Sequence, residues 1–214
     1  MKQHSSLIIK EGFIFIIPLA AITAILAFAG ITWAAVCFLV LMLFVVNFFR
    51  NPERMVPADD KLIVSPADGR ILKIEDVDNN DLLPGTLKKV SIFMNIFNVH
   101  VNRIPVAGRV KTIRYREGRF LNASLDKASV LNESNSVLVE TPSGREILTI
   151  QIAGLIARRI VCWVEEGMSI DKGKRFGMIR FGSRLEVFMP RDTEITVNVG
   201  DKVKAGSTGI GYLK

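Results

Sequence analysis

A stretch of 37 consecutive residues, 13–49, contains no Asp, Glu, Lys or Arg. A single helix of this length would extend about 55 Å at 1.5 Å per residue, whereas the hydrocarbon core of a bilayer is about 30 Å thick. Two short apolar helices, 13–29 and 31–49, turning near Gly30, fit that thickness better. We therefore expect a membrane-associated helical hairpin over residues 1–50, as two spans or as a re-entrant loop. One long, tilted anchor helix is the alternative.

Basic residues flank this stretch, with Lys10 before it and several arginines after it. Lysine and arginine beside membrane segments favour the cytoplasmic side, so we expect the following domain at the cytoplasmic face of the cell membrane. The formal net charge of +7 suits an anionic phospholipid membrane as a partner. Nucleic acid is not expected as a partner, because no stacking aromatic residues or known binding module accompany the charge. The arginines that could meet anionic lipid are Arg50, Arg54, Arg114, Arg116 and Arg119.

The rest of the chain predicts a mostly β domain. Residues 51–62 are polar and contain proline, so they are expected to form a linker, and the domain should span 63–214. About ten short β-like runs alternate there with turn residues, and only the region 119–131 suggests a helix. This pattern is typical of a sandwich or a partly closed barrel.

Two distant segments of this domain resemble the paired hairpins of barrel-sandwich domains. The early segment is SPADGRILKI, residues 65–74, and the late one is TVNVGDKVKAGSTGIGYL, residues 196–213. Val197, Val199 and Val203 are expected to form one apolar face of the late segment. The likeness concerns the fold and implies no function by itself.

Few residues in the domain could carry chemistry. His100 is its only histidine, and the chain's two cysteines, Cys37 and Cys162, have no metal-binding spacing, so no metal is expected. Asp68 lies in a Pro-Ala-Asp-Gly sequence typical of a turn. Ser183 follows a glycine between two apolar runs, and the second glycine of a G-x-S-x-G nucleophile elbow is absent.

Together, four segments of the domain resemble the short-form phosphatidylserine decarboxylases, which are pyruvoyl-dependent proenzymes. The most specific of them is RFGMIRFGSR near the C-terminus, and the others occur in the same order as in that family. The segments are PADGRI (66–71), FNVHVNRIP (97–105), GRFLNASLDKAS (118–129) and RFGMIRFGSR (175–184).

The resemblance implies a chain that cleaves itself between Gly182 and Ser183. The products would be a β chain, 1–182, and an α chain, 183–214, which should stay together because their strands share one sheet system. Ser183 would become a covalent pyruvoyl group that forms a Schiff base with the amine of the substrate, so no external cofactor is implied. Glycine before the nucleophile allows the backbone to approach without a Cβ clash.

The resemblance also implies that Asp68 and His100 assist Ser183, with the carboxylate orienting the imidazole and the imidazole activating the hydroxyl. Longer members of the family carry two histidines, spaced H-x-x-H, at this point. Here Arg103 occupies the second position, and arginine is a poor base because it stays protonated. Either His100 serves both self-cleavage and decarboxylation, or Asp68 and water perform one of the two tasks.

The implied activity is decarboxylation of phosphatidylserine to phosphatidylethanolamine in phospholipid biosynthesis. The same chemistry on another serine lipid, such as archaetidylserine, is an alternative, and a non-enzymatic, membrane-anchored barrel-sandwich adaptor is a second one. A homodimer is left open. The residues that the resemblance implies for substrate binding are Arg103, Phe120, Lys127 and Asn132.

Overall fold

The computed structural model describes residues 6–123, 127–154, 159–180 and 183–214. The chain divides into two compact units, Met1–Glu53 and Arg54–Lys214. Gly182, one side of the expected cleavage site, lies outside the described residues.

The first unit is a pair of apolar helices. A 3-10 turn, Lys10–Gly12, leads into α1 (Phe13–Phe28), and α2 (Thr32–Phe48) follows after Gly30, whose positive φ of 76° allows the reversal. Among the described residues, Lys10–Phe28 is the one helical stretch long and apolar enough to cross a membrane, and Thr32–Phe48 is shorter. Large apolar side chains of the pair are exposed, Phe28 at 94%.

The open ends of the two helices are held together. Ile9 N donates to Phe49 O at 3.0 Å, and Asn51 N donates to Leu7 O at 2.7 Å. The rings of Phe15 and Phe49 stack with their centroids 5.8 Å apart. These contacts join the residues before α1 to those after α2, so the predicted hairpin is confirmed and the single long helix is wrong.

The second unit is built mainly of β-strands, with a short helix α3 (Lys127–Leu131). Its described residues form fourteen strands: β1 (Leu62–Val64), β2 (Gly69–Asn80), β3 (Leu83–Met94), β4 (Val101–Arg103), β5 (Gly108–Arg116), β6 (Ser134–Glu140), β7 (Glu146–Ala153), β8 (Ile160–Cys162), β9 (Ser169–Ile170), β10 (Arg175–Ile179), β11 (Ser183–Pro190), β12 (Glu194–Ile195), β13 (Lys202–Val203) and β14 (Gly209–Tyr212).

The strands form three sheets. An eight-stranded sheet has the order β13-β2-β3-β11-β7-β6-β5-β9 and curls into a half-barrel, and two three-stranded sheets have the orders β4-β10-β8 and β1-β14-β12. The predicted mostly β fold is confirmed. Early and late segments also pair as expected, since β2 pairs with β13 and β1 with β14.

Strand β11 lies near the middle of the large sheet, paired antiparallel with β3 and β7 along nearly its whole length. Its residues alternate between the two faces, as a strand requires. Leu185, Val187 and Met189 point into the main hydrophobic core, whereas Phe188 joins a smaller cluster on the opposite face. Ser183 is two residues before Leu185, so its side chain lies on the same face of the strand as that of Leu185, the face towards the core.

Two sequence expectations differ from the structure. The helix expected over 119–131 is described only at Lys127–Leu131. The apolar face expected of the late segment is wrong at Val199, which is 62% exposed, while Val197 and Val203 are buried. A turn causes the difference: Asn198 N donates to Asp201 Oδ2 at 2.8 Å, and this turn directs Val199 outward.

Candidate active site

Ser183 is the first residue of β11, where it pairs with Met94 at the end of β3 and with Ala153 at the end of β7. Its side chain is fully buried, and within the described part of the chain its Oγ has no hydrogen-bond partner. Buried hydroxyl groups nearly always have a partner, and an unpaired one is costly. This hydroxyl is therefore a candidate for a reactive group.

The sheet order brings Asp68 to the same end of the large sheet. Asp68 immediately precedes β2, whose first residues lie beside the end of β3, since Arg70 pairs with Phe93. A Cβ on Gly69 would lie 2.3 Å from the Phe93 carbonyl oxygen, so the glycine permits this close approach. Asp68 and Ser183 thus lie at the same end of β3, on the two strands that pair with its opposite edges.

The carboxylate of Asp68 is fixed by two donors. Ala205 N donates to Oδ1 at 2.8 Å, and Arg54 Nη2 donates to Oδ2 at 2.7 Å. The Arg54 side chain is only 15% exposed. Arg54, expected from the sequence as a lipid contact, therefore lies against Asp68, and no local sequence signal indicated this pairing.

His100 is fully buried and immediately precedes β4. Strand β4 pairs with β10, and Ile179 N donates to His100 O at 3.4 Å, four residues before Ser183. The ring Nδ1 lies 3.0 Å from Asn98 O. A carbonyl oxygen can only accept, so Nδ1 is the donor of this hydrogen bond and carries a proton.

Arg103, at the end of β4, is 4% exposed and binds backbone carbonyl groups. Its Nη1 donates to Gly173 O at 2.8 Å, and its backbone N donates to Pro66 O at 2.9 Å. The second contact joins β4 to the bend that carries Asp68. The strand that follows His100 and the bend before β2 are therefore directly connected.

The residues expected to bind substrate lie in different settings. Asn132 is fully buried, and its Nδ2 donates to Leu121 O at 2.8 Å and to Ala153 O at 2.7 Å. Asn132 therefore connects the segment before it to the residue that pairs with Ser183. Phe120 is half-buried against the main core, and Lys127 is exposed at the start of α3.

Sequence reasoning missed a set of buried amides on the Ser183 side of the sheet. Asn135 Nδ2 donates to Gln151 Oε1 at 2.9 Å, and Gln151 Nε2 donates to Asn102 Oδ1 at 2.8 Å. Asn135 also contacts the Cys162 thiol, whose pKa is raised chiefly by burial. The available signal was a single amide in each of several apolar runs, such as Gln151 in TIQIAG.

It also missed a buried ion pair on the opposite face. Arg184 Nη2 lies 3.2 Å from Glu186 Oε1, with side chains 2% and 3% exposed, and Ser129 Oγ donates to the same carboxylate at 2.7 Å. Through Ser129 this pair connects β11 to α3. Across the described ranges, no three His, Cys, Asp or Glu side chains cluster as metal ligands would.

Sequence comparison relates the chain to known proteins. A sequence model of the family described as phosphatidylserine decarboxylase matches residues 41–211. Relatives named phosphatidylserine decarboxylase proenzyme include one from Syntrophus aciditrophicus, 57% identical over 98% of this chain and 99% of its own. Others are from Aromatoleum aromaticum, 50% identical over 97% and 96%, and Desulfotalea psychrophila, 45% identical over the full length of both chains. Because the match covers the second half of α2 and almost the whole β unit, the chain belongs to the phosphatidylserine decarboxylase family.

Proposed function

We propose that this chain is a proenzyme that cleaves itself between Gly182 and Ser183 and then decarboxylates phosphatidylserine to phosphatidylethanolamine. The observation that carries the proposal is the state of Ser183: a fully buried hydroxyl, without a hydrogen-bond partner among the described residues, at the first position of the central strand. The names of the relatives, each a decarboxylase proenzyme, support the same conclusion.

His100 is the proposed base for self-cleavage. Its Nε2 takes the proton of the Ser183 hydroxyl, and the contact of Nδ1 with Asn98 O keeps the ring in the required tautomer. Asp68, fixed by Arg54 and Ala205, is the proposed carboxylate of the site. A fixed carboxylate stabilises positive charge that forms on a nearby imidazole.

Self-cleavage then follows from the residue types. Ser183 Oγ bonds to the carbonyl carbon of Gly182, the peptide C–N bond breaks, and the released nitrogen takes a proton, so an ester replaces the amide. Loss of the Ser183 α-proton breaks the Cβ–O bond and releases residues 1–182 with a C-terminal carboxylate. Water then replaces the nitrogen on the remaining unsaturated residue, which gives a pyruvoyl group and ammonia.

The surroundings of Ser183 fit a pyruvoyl group. Ser183 is fully buried, and its neighbours across the sheet are Met94 and Ala153, both fully buried and apolar. When formed, the group would supply an electrophilic carbonyl for condensation with the substrate amine, with loss of water, and the condensed group would withdraw the electron pair left as carbon dioxide departs. His100 is proposed to hold the proton that is returned to the substrate carbon.

The substrate and the membrane are proposed to meet the chain through basic and apolar residues. Lys127 is exposed and could pair with an anionic headgroup, and the half-buried Phe120 could touch lipid. Arg103 and Asn132 would contribute to the substrate site from the interior of the β unit, since both are buried. The apolar helices are proposed to hold the enzyme at the cytoplasmic face of the membrane. If so, protease added outside sealed cells should leave residues 54–214 uncut.

Mass analysis of the purified full chain under denaturing conditions tests the proposal. The expected products are residues 1–182 and the 32-residue piece 183–214, whose N-terminus resists sequential degradation. Ser183→Ala should remain uncleaved and release no carbon dioxide from vesicles containing phosphatidylserine. Ser91→Ala is the matched control, because Ser91 is also buried, on neighbouring β3, but lies opposite Glu186 on the other face.

An intact, active chain with an unmodified Ser183 would contradict the proposal. To identify the substrate, carbon dioxide release is compared for three candidates. These are vesicles of phosphatidylserine, vesicles of an ether-linked serine lipid, and free serine in solution. Equal turnover of free serine would exclude a lipid-specific enzyme, and preference for the ether lipid would favour the alternative substrate.

A further inference from the structure

The three buried amides on the Ser183 side of the sheet form a directional chain. Asn135, Gln151 and Asn102 are at most 3% exposed, and Asn135 donates an amide N–H to Gln151, which donates one to Asn102. Consecutive hydrogen bonds of this kind polarise one another in a low-dielectric interior. The N–H end of the chain is the side-chain amide of Asn102.

The position of Asn102 relative to Ser183 follows from the strand pairing. Asn102 Nδ2 lies 3.7 Å from the Met94 sulfur, and Met94 pairs directly with Ser183. Directly opposite residues of antiparallel strands project from the same face. Gln151 lies on this face too, because it pairs with Leu185 in β11 and with Asn135 in β6.

Both polar groups beside Met94 are poorly satisfied. A thioether is a weak acceptor, so the terminal N–H of the amide chain has a poor partner, while Ser183 Oγ has none among the described residues. Met94 has three rotatable bonds and repacks readily. Movement of its side chain would remove the sulfur as a partner of the Asn102 N–H, and Ser183 is the residue opposite Met94.

A glycine makes room for the middle of the chain. A Cβ at Gly177 would lie 2.3 Å from Val161 O and 3.0 Å from Gln151 Nε2. Gly177 belongs to β10, which pairs with both β4 and β8. The strand that leads towards Ser183 thus leaves space for Gln151 to reach Asn102, and a larger residue there would displace the amide.

We propose that Asn102 is a catalytic residue of self-cleavage, whose Nδ2–H binds the Ser183 oxygen as its proton leaves, and that Gln151 and Asn135 are positioning residues for it. The proton passes from Oγ to the base, and Oγ then bonds to the preceding carbonyl carbon. The Asn102 donor stabilises the negative charge that develops on Oγ in between. This inference rests on the proposed self-cleavage at Ser183.

Asn102→Leu removes the donor with little change in side-chain volume. Loss of one preorganised donor to a developing oxyanion slows a reaction by about 10²- to 10³-fold, and we expect that loss in the rate of self-cleavage. The rate is the conversion of newly synthesised full chain to 1–182 and 183–214, followed in a cell-free system with phospholipid vesicles. Thr149→Val is the matched control, since Thr149 is buried on β7 and points to the same face.

A triple variant separates this role from a structural one. Asn102→Leu leaves the buried Gln151 donor unpaired, which destabilises the fold, whereas replacing all three amides by apolar residues leaves none of them without its partner. In Asn102→Leu/Gln151→Leu/Asn135→Leu, measured on a Ser183→Ala background, the melting temperature should recover. With Ser183 present, self-cleavage should stay slow, because the donor is still missing.

Each outcome decides a different question. Recovery of the cleavage rate together with the melting temperature would reduce Asn102 to a structural residue and overturn the inference. Cleavage of Asn102→Leu within threefold of Thr149→Val would also overturn it, while leaving the proposed function intact. A parent chain that never cleaves would instead refute the proposed function and the inference with it.

Discussion

The buried pair Arg184–Glu186 offers a quantitative test of the packing around β11. Its two side chains are 2% and 3% exposed, and Ser129 of α3 contacts both. Removing one partner of a buried ion pair leaves an uncompensated charge and costs about 3–5 kcal/mol. Glu186→Leu makes that change while keeping a similar side-chain volume.

The expected size of the effect follows from the length of the chain. For proteins of 150–250 residues, each kcal/mol shifts the melting temperature by about 2–4 °C. The loss from Glu186→Leu therefore corresponds to a decrease of roughly 6–20 °C. The double variant Arg184→Met/Glu186→Leu should lie within about 1.5 kcal/mol of the parent, since an apolar pair removes both charges together.

The assay is thermal unfolding in detergent, followed by circular dichroism on a Ser183→Ala background so that every variant is one chain. Asp192→Ala is the control, because Arg145 and Asp192 also pair, at 2.7 Å, but their side chains are 37% and 44% exposed. Such a surface pair contributes at most about 1 kcal/mol. A decrease for Glu186→Leu no larger than that for Asp192→Ala would refute the assignment of a tightly buried pair.

Three further predictions concern separate parts of the β unit. Gly69→Ala should lower the melting temperature more than Gly85→Ala, because the added Cβ meets the Phe93 carbonyl at 2.3 Å in the first case, whereas in the second it enters open space and costs only the backbone strain of alanine at a φ of 98°; equal decreases would contradict the close approach. Burial raises the pKa of Cys162, so alkylation of this thiol, read by peptide mass, should be slower than that of free cysteine at pH 7 and still accelerate above pH 9.0. Burial alone would raise the pKa of Glu75, but hydrogen bonds from two lysines hold it below 4.5. A depressed carboxyl pKa stabilises the fold above the unfolded value and loses that effect as pH falls through the folded value. Glu75→Gln should therefore lose less stability than the parent between pH 7 and pH 3, and an identical loss would contradict the shift.

Local features of the sequence predicted local structure well. The absence of charge from 13 to 49 led to the helix pair because 37 uncharged residues are too many for one helix across a bilayer and suit two. Alternating apolar residues led to most of the strands, since a strand has a period of two. Strand β9 was not predicted, because two residues carry no periodicity.

Contacts between distant residues were not predictable in this way. Asp68 is held by Arg54 and by Ala205, 137 residues later in the chain, and nothing in the spacing of either residue indicates the other. The central position of β11 depends on sheet order, which a single strand's pattern does not determine. The amide chain likewise joins Asn102, Gln151 and Asn135 from three strands, and only the folded sheet brings them together.

The placement of β11 between β3 and β7 affects whether the cleaved molecule can refold. Every strand from β11 onwards pairs only with strands on the far side of Ser183 or with one another. The uncut chain can assemble this arrangement as a unimolecular reaction. Once it is cut, regaining the sheet requires two separate polypeptides to meet, at a rate that depends on their concentration. Self-cleavage would therefore make folding a step that each molecule completes once, and heat damage to the mature enzyme hard to reverse.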